Sequence, residues 1–291
     1  MTPPRFPPAK ISAVVSDVDG TLMTDDKRLT PRAQAAVAKL HTRGIIFTVI
    51  SSRPPRGVRM LLDPLEIKTP FGCFNGGVIA RPDLSVIAAH VLASHAARCA
   101  VDMLSARGAQ SWIFAGPDWL VRDSDAPYVG LEERTVRFRP TIVEDFGPAL
   151  DIAAKIVGVS ADFELLARCE PDLRTALAGQ ASVVRSQPYY LDITHPLANK
   201  GVALSALATL LAVPPAEIAV VGDGGNDVAM FERSGLSIAM GNASPHVQGA
   251  ADFVTDTNRE EGFANAIERF ILGGDRSKSQ AGAAGTGAGA W

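Results

Sequence analysis

The 291-residue chain is 47% hydrophobic and 20% charged, with a formal net charge of −3 at pH 7. That balance reads as a soluble globular protein with its own core, and it argues against a disordered chain or a basic, nucleic-acid-binding surface. Its three cysteines, Cys73, Cys99 and Cys169, form no CxxC pair, so neither a disulfide framework nor a zinc site is expected and the setting reads as reducing and cytoplasmic.

Taken in chain order, the Pro-rich start MTPPRFPPAK has no apolar core of a secretory signal. No run anywhere approaches the roughly 18 apolar residues of a membrane span. Residues 11–16 predict an apolar strand. Thr30 followed by Pro31 is an N-cap and first-turn signal for a helix to about Thr42. Gly44 closes that helix, and a strand at 45–50, a short helix at 56–62 and a strand at 71–74 follow. Between Pro82 and Tyr190 the pattern changes. SWIFAG, DWLVR, RTVRFRP, AKIVGVS and SVVRSQ read as amphipathic strands, with helices at 94–106 and 162–177. The last part resumes the alternation of the first, with a helix at 199–211, a strand at 218–221, a helix to about Ser234, a strand at 236–240, a short strand at 252–254 and a helix ending near Leu272. Continuous apolar strands separated by helices predict a parallel sheet covered on both faces. The expected fold class is α/β, a Rossmann-like core from residues 10–81 and 191–272 with an α+β cap inserted at 82–190. Residues 1–9 and the Gly/Ala/Ser-rich stretch 273–291 are expected to be flexible tails.

In such a sheet, functional groups gather at the carboxyl ends of the strands. Four polar groups stand there: DVDGT at 17–21, SSR at 51–53, NGG at 75–77 and GDGGND at 222–227, with Lys200 opening the helix before the last. Carboxylates, one lysine, hydroxyls and backbone amides are what metal-assisted phosphate chemistry needs. A phosphate ester is anionic, so a carboxylate attacks it only when the repulsion is cancelled. Mg²⁺, with its preference for hard oxygen ligands, does this. Asp17 and Asp223 suit it as ligands, Lys200 balances charge on the transferring group, and Ser51 donates its hydroxyl. Asp19 can protonate the leaving alcohol and later activate water.

DVDGTL, SSRP, the NK of 199–200 and GDGGNDVAM resemble, in that order, the four motifs of the haloacid dehalogenase superfamily. NGG and the IAMGNA of 238–243 are similar to its Cof-type phosphatase subfamily. The resemblance implies that Asp17 is a nucleophile forming an aspartyl-phosphate. Asp19 would be general acid/base and a backbone ligand of Mg²⁺, Asp223 a further metal ligand, and Asp227 a support of the metal shell. Ser51 and Lys200 would hold the phosphoryl oxygens, with Ser52, Arg53, Asn75 and Asn226 lining the phosphate and substrate site. The second motif departs from the subfamily's usual Thr-Gly-Arg: Ser51 keeps the hydroxyl, while Ser52 adds a side chain where the backbone approaches phosphate.

The expected function is therefore a Mg²⁺-dependent phosphatase of small phosphorylated metabolites, sugar phosphates foremost, with no nucleic-acid or membrane partner, as a monomer or homodimer. A phosphomannomutase-like phosphomutase and a non-catalytic sugar-phosphate sensor are the alternatives. Three further features carry less. His195 before a proline reads as a loop residue. In RTVRFRP, read as a strand, Arg137 and Arg139 share a face that is solvated or receives an anion. The aromatics of SWIFAGPDWL read as core packing, with a stacking platform for a ring-bearing substrate as the sharper alternative.

Overall fold

A computed structural model describes residues 10–273; of the tails expected at 1–9 and 273–291, all but Gly273 lies outside the described residues. β1 (Ala13–Ser16) is buried along its whole length, as a central parallel strand requires. α1 (Pro31–Thr42) starts where Thr30 Oγ1 accepts from the Ala33 N–H at 3.1 Å, with Pro31 in the first turn. β2 (Ile46–Val49) then pairs parallel to β1, and α2 (Pro55–Leu62) follows. β3 (Phe71–Cys73), β4 (Val78–Ala80) and β5 (Val86–Ala89) form a small antiparallel sheet. That sheet straddles the 81/82 division expected from sequence, because β5 pairs with β4.

The middle of the chain contains α3 (Ser94–Ala106), β6 (Gln110–Ala115), β7 (Asp118–Val121), α4 (Val129–Val136), β8 (Thr141–Ile142), β9 (Ala153–Val159), α5 (Phe163–Ala176), β10 (Ser182–Gln187) and β11 (Tyr190–Thr194). Its six strands form one sheet in the order β10-β11-β9-β6-β7-β8. Alternation decides its two faces. Ile113, Ile156, Leu191 and Ile193 pack under α3 and α5, whereas Trp112, Phe114, Trp119 and Val157 join the cluster that runs into the parallel-sheet core. β11 extends to Thr194 within this sheet, past the 190/191 division.

α6 (Lys200–Leu211), β12 (Ile218–Gly222), α7 (Val228–Phe231), β13 (Leu236–Ala239), α8 (Pro245–Ala250), β14 (Phe253–Val254) and α9 (Gly262–Ala266) complete the fold, the last running on as a π-helical turn through Ile267–Leu272. The core sheet is parallel throughout, in the order β14-β13-β12-β1-β2. On one side Val14 lies among Ala36, Leu40, Ile267 and Phe270; on the other Val15 and Val220 meet Leu204, Leu207 and Met230. Both faces are thus covered.

One strand expected from sequence is a helix. Residues 134–136 belong to α4, and Arg137 ends it in the left-handed region at φ 64°. Val129 and Val136, seven apart, are its buried residues, a helical spacing that the alternation of the arginines masks. Arg134, Arg137 and Arg139 stay exposed. Trp112 and Trp119 are core residues as expected, each 1% exposed. The helix expected to reach Ser234 is shorter, ending at Phe231.

Candidate active site

The loops after β1, β2, β3 and β12 and the start of α6 converge at one end of the core sheet. Asp17 follows β1 directly, 6% exposed, and its N–H donates to Val221 O on β12 at 2.9 Å. That bond locks the end of β1 to the end of β12. Lys200 is the first residue of α6, set by Asn199, whose Oδ1 accepts from the Val202 N–H at 2.9 Å. Gly76 makes this placement possible. Its φ is +100°, and a Cβ there would stand 2.7 Å from the Asn199 carbonyl oxygen and 2.6 Å from Ala203 Cβ.

Lys200 Nζ, 1% exposed, donates at 2.5 Å both to Asp17 Oδ1 and to Asp227 Oδ1. Asp227 Oδ2 accepts from the Asp223 and Gly224 N–H groups at 2.9 and 2.8 Å. Asp227 is thus a buried post: it fixes the loop after β12 and aims the lysine at Asp17. Asp223 Oδ1 accepts from Thr21 Oγ1 at 2.7 Å and its Oδ2 from Asn242 Nδ2 at 3.2 Å. Gly20, at φ +87°, clears the space, since a Cβ there would lie 2.3 Å from Asp223 Oδ2.

Asp17, Asp223 and Asp227 bring ligand oxygens within 4.8 Å of one another. Three carboxylates gather round one buried ammonium, which pairs with two of them, so the cluster carries excess negative charge. The strain shows on Asp17, whose carboxyl is pushed up to about 8 by burial and by the neighbouring Asp227 and Asp223, against the pull of Lys200. Lys200 in turn is held above its ordinary value by the two carboxylates despite its burial. Hard oxygen donors with uncompensated charge fit a small divalent cation such as Mg²⁺.

Asp19 stands apart from this cluster. Its carboxylate is gripped by the Arg53 fork, Nε to Oδ2 at 2.7 Å and Nη2 to Oδ1 at 2.8 Å, and by Lys27 at 2.8 Å. Burial alone would raise it, but the hydrogen bonds and charges of Arg53 and then Lys27 hold it down at about 2. Arg53 is 3% exposed and also donates from Nη1 to Thr135 O on α4 at 2.9 Å. Its planar fork is thus engaged by the matching carboxylate and by α4. Ser51 is fully buried, its Oγ accepting from the Arg53 N–H at 3.2 Å, with Ser52 half-buried beside it. Asn75, in the left-handed region at φ 57°, accepts at Oδ1 from Asn226 Nδ2 at 2.9 Å. These two amides tie two distant loops together.

Three residues of the site have no role assigned from sequence, although Thr21 and Asn242 lie inside the DVDGTL and IAMGNA motifs. Asn242 holds Asp223 and also donates to Gly20 O at 3.0 Å; its place just past the end of β13 also hints at it. Thr21 and Lys27 are the others. His195 is a loop residue, its Nδ1 accepting from the Leu197 N–H at 3.1 Å and its ring stacked on His90.

The sequence matches the haloacid dehalogenase-like hydrolase family over residues 14–267. The chain belongs to that family. The HMP-PP phosphatase of Cronobacter sakazakii is 28% identical over 79% of this chain and 84% of its own. The 5-amino-6-(5-phospho-D-ribitylamino)uracil phosphatase YcsE of Bacillus subtilis is 24% identical over 90% of this chain and 96% of its own. A crystal structure of a haloacid dehalogenase-like hydrolase from Bacteroides thetaiotaomicron superposes with a TM-score of 0.83 at 30% identity, over 90% of this chain and all of that one. The family brings with it the phosphatase class of enzyme read from the motifs. Among the described residues no helix is long and apolar enough to cross a membrane.

Proposed function

We propose that this hydrolase removes phosphate from small phosphorylated metabolites, sugar phosphates foremost, through an aspartyl-phosphate on Asp17. The observation that carries the reading is the pairing of Asp17 with Lys200 inside a cluster of acids, with a second carboxylate, Asp19, held separately two residues on.

A carboxylate oxygen of Asp17 attacks phosphorus, forming an acyl-phosphate bond as the ester P–O bond breaks. The leaving oxygen takes a proton from Asp19. A water then gives its proton to Asp19 and attacks the same phosphorus, releasing phosphate and restoring the Asp17 carboxylate. Lys200 and Ser51 steady the phosphoryl oxygens. Mg²⁺ would be held by Asp17, Asp223 and the Asp19 carbonyl, with Asp227 behind them, and when bound it cancels the repulsion between nucleophile and ester. The grip of Arg53 and Lys27 favours ionised Asp19, the form that accepts the proton from water. To act as the acid it has to leave that grip. Residues 82–190 would serve as the cap that closes over the substrate and excludes bulk water.

Phosphate release from a panel of phosphorylated metabolites, with Mg²⁺ and with EDTA, tests the reading. Release by the wild type, abolished by EDTA and reduced at least about a thousandfold by Asp17→Asn, is expected. Folded protein with Mg²⁺ that releases phosphate from none of them would overturn it, as would release that survives Asp17→Asn.

A further inference from the structure

The six-stranded sheet turns one face toward the catalytic core, and rows of residues cross it. Trp112, Val157 and Asp192 are direct neighbours on β6, β9 and β11, as are Phe114, Lys155 and Thr194. The face is apolar where it meets the core: Phe114 lies 5.4 Å, ring to ring, from Phe74, the residue before Asn75. Within it sits a charged island. Lys155 Nζ donates to Asp192 Oδ2 at 2.7 Å, the two side chains only 12% and 11% exposed. The second oxygen, Asp192 Oδ1, is buried and accepts from nothing among the described residues, and the indole N–H groups of Trp112 and Trp119 are equally buried and unpartnered. Glu132 on α4 completes the island, accepting from the Tyr190 hydroxyl at 3.4 Å. It lies near enough to feel Lys155 and Asp192 on one side and Arg53 and Asp19 on the other.

Through α4, whose Thr135 O accepts from Arg53 Nη1 at 2.9 Å, the island adjoins the fork that holds Asp19. Asp19 is the acid proposed to protonate the leaving oxygen, so the leaving group of a bound ester belongs on this side of the site. Stability does not account for such a pair, since apolar residues of like volume often serve a buried position as well or better. An unfilled carboxylate oxygen beside a lysine ammonium is suited to a hydroxyl, which donates to the one and accepts from the other. A site built that way discriminates strongly against an ester lacking the hydroxyl.

We propose that Lys155 and Asp192, with Glu132 beside them, form the subsite for the leaving group and recognise hydroxyls of a sugar or sugar-alcohol monophosphate. The inference rests on the phosphatase reading of Asp17. Its test is steady-state kinetics on glucose 6-phosphate, ribose 5-phosphate and p-nitrophenyl phosphate, which has no free hydroxyl on its leaving group. Two variants are compared with wild type: Asp192→Asn, and the double replacement Lys155→Met with Asp192→Leu, which leaves no unpaired buried charge. In both, the ratio of kcat/KM for the sugar phosphates to that for p-nitrophenyl phosphate is expected to fall about tenfold or more, with the loss carried by KM. An unchanged ratio would overturn the proposal. Calorimetric binding of the same two sugar phosphates gives a readout independent of turnover. Binding weakened about tenfold by Asp192→Asn supports the subsite even where the wild type hydrolyses no ester, a result that would overturn the phosphatase reading alone. Binding equal in wild type and variant overturns the subsite.

Discussion

Lys200 is the residue on which the site's charge balance turns. It divides its ammonium between two buried carboxylates, and among the described residues no other cation is paired with either. Lys200→Met is expected to cost about 3–5 kcal/mol in urea unfolding of the metal-free protein, the usual penalty for stripping a buried charge of its partner. Lys200→Arg should not restore turnover, because a planar fork cannot meet two converging carboxylates as a compact ammonium does. The two aspartates of DVD respond to pH in opposite senses. Asp17 is raised to about 8 in the metal-free protein. The folded state therefore holds its proton more tightly than the unfolded chain does, and that contribution to stability is lost as pH rises from about 4 to about 8. Metal-free Asp17→Asn should melt higher than wild type at pH 8, with the gap closing toward about pH 4; melting curves in EDTA across that range check it. Asp19 is lowered to about 2, so its contribution is complete above about 4 and disappears as pH falls toward 2. Asp19→Asn should lower the melting temperature at about pH 6 and make no difference near pH 2. Asp17, Lys200 and Asp223, which the structure brings together, were legible because each stands at a strand end or on a helix start. Lys27 and Asp192 were not, because a loop lysine and an acid in an alternating strand look like any surface residue until the chain is folded, and Asn242, though inside IAMGNA, shows its hold on Asp223 only in the fold.

The start of α6 shows how much depends on a single helix end. Asn199 caps it, Lys200 follows, and the Phe74–Gly76 turn presses against it through a glycine. Asn199→Ala is expected to cost about 1 kcal/mol of stability and to lower kcat by more than it raises KM, because the ammonium loses its anchor. Gly76→Ala should destabilise by about 1–3 kcal/mol through overpacking against the Asn199 carbonyl. Thermal melts and kinetics of the two variants check both expectations. Elements with caps and continuous apolar runs, such as α1, α6 and the buried strands, stand where their sequence places them. The 134–140 segment does not, because alternating arginines imitate a strand while the two valines that seat the helix lie seven residues apart. The two joins between the middle segment and the core also escaped, since β5 and β11 carry their pairing past the points where composition changes.

Across the whole molecule, the site is assembled from both ends of the chain: Asp17 and Lys200 are 183 residues apart in sequence and 2.5 Å apart in space. Motif order made the architecture readable, but the strand order with β1 between β2 and β12 is a tertiary fact no local pattern encodes. Its consequence is one of time. A chain made from its N-terminus at roughly 5–20 residues per second exposes β1 and β2 long before β12 exists to pair with them. The six-stranded sheet, complete at Thr194, is the first large unit that can close. The central strand of the core, with its four buried residues, remains an open sheet edge for on the order of ten seconds or more during synthesis. During that interval the newborn protein is most vulnerable to sticking to its neighbours.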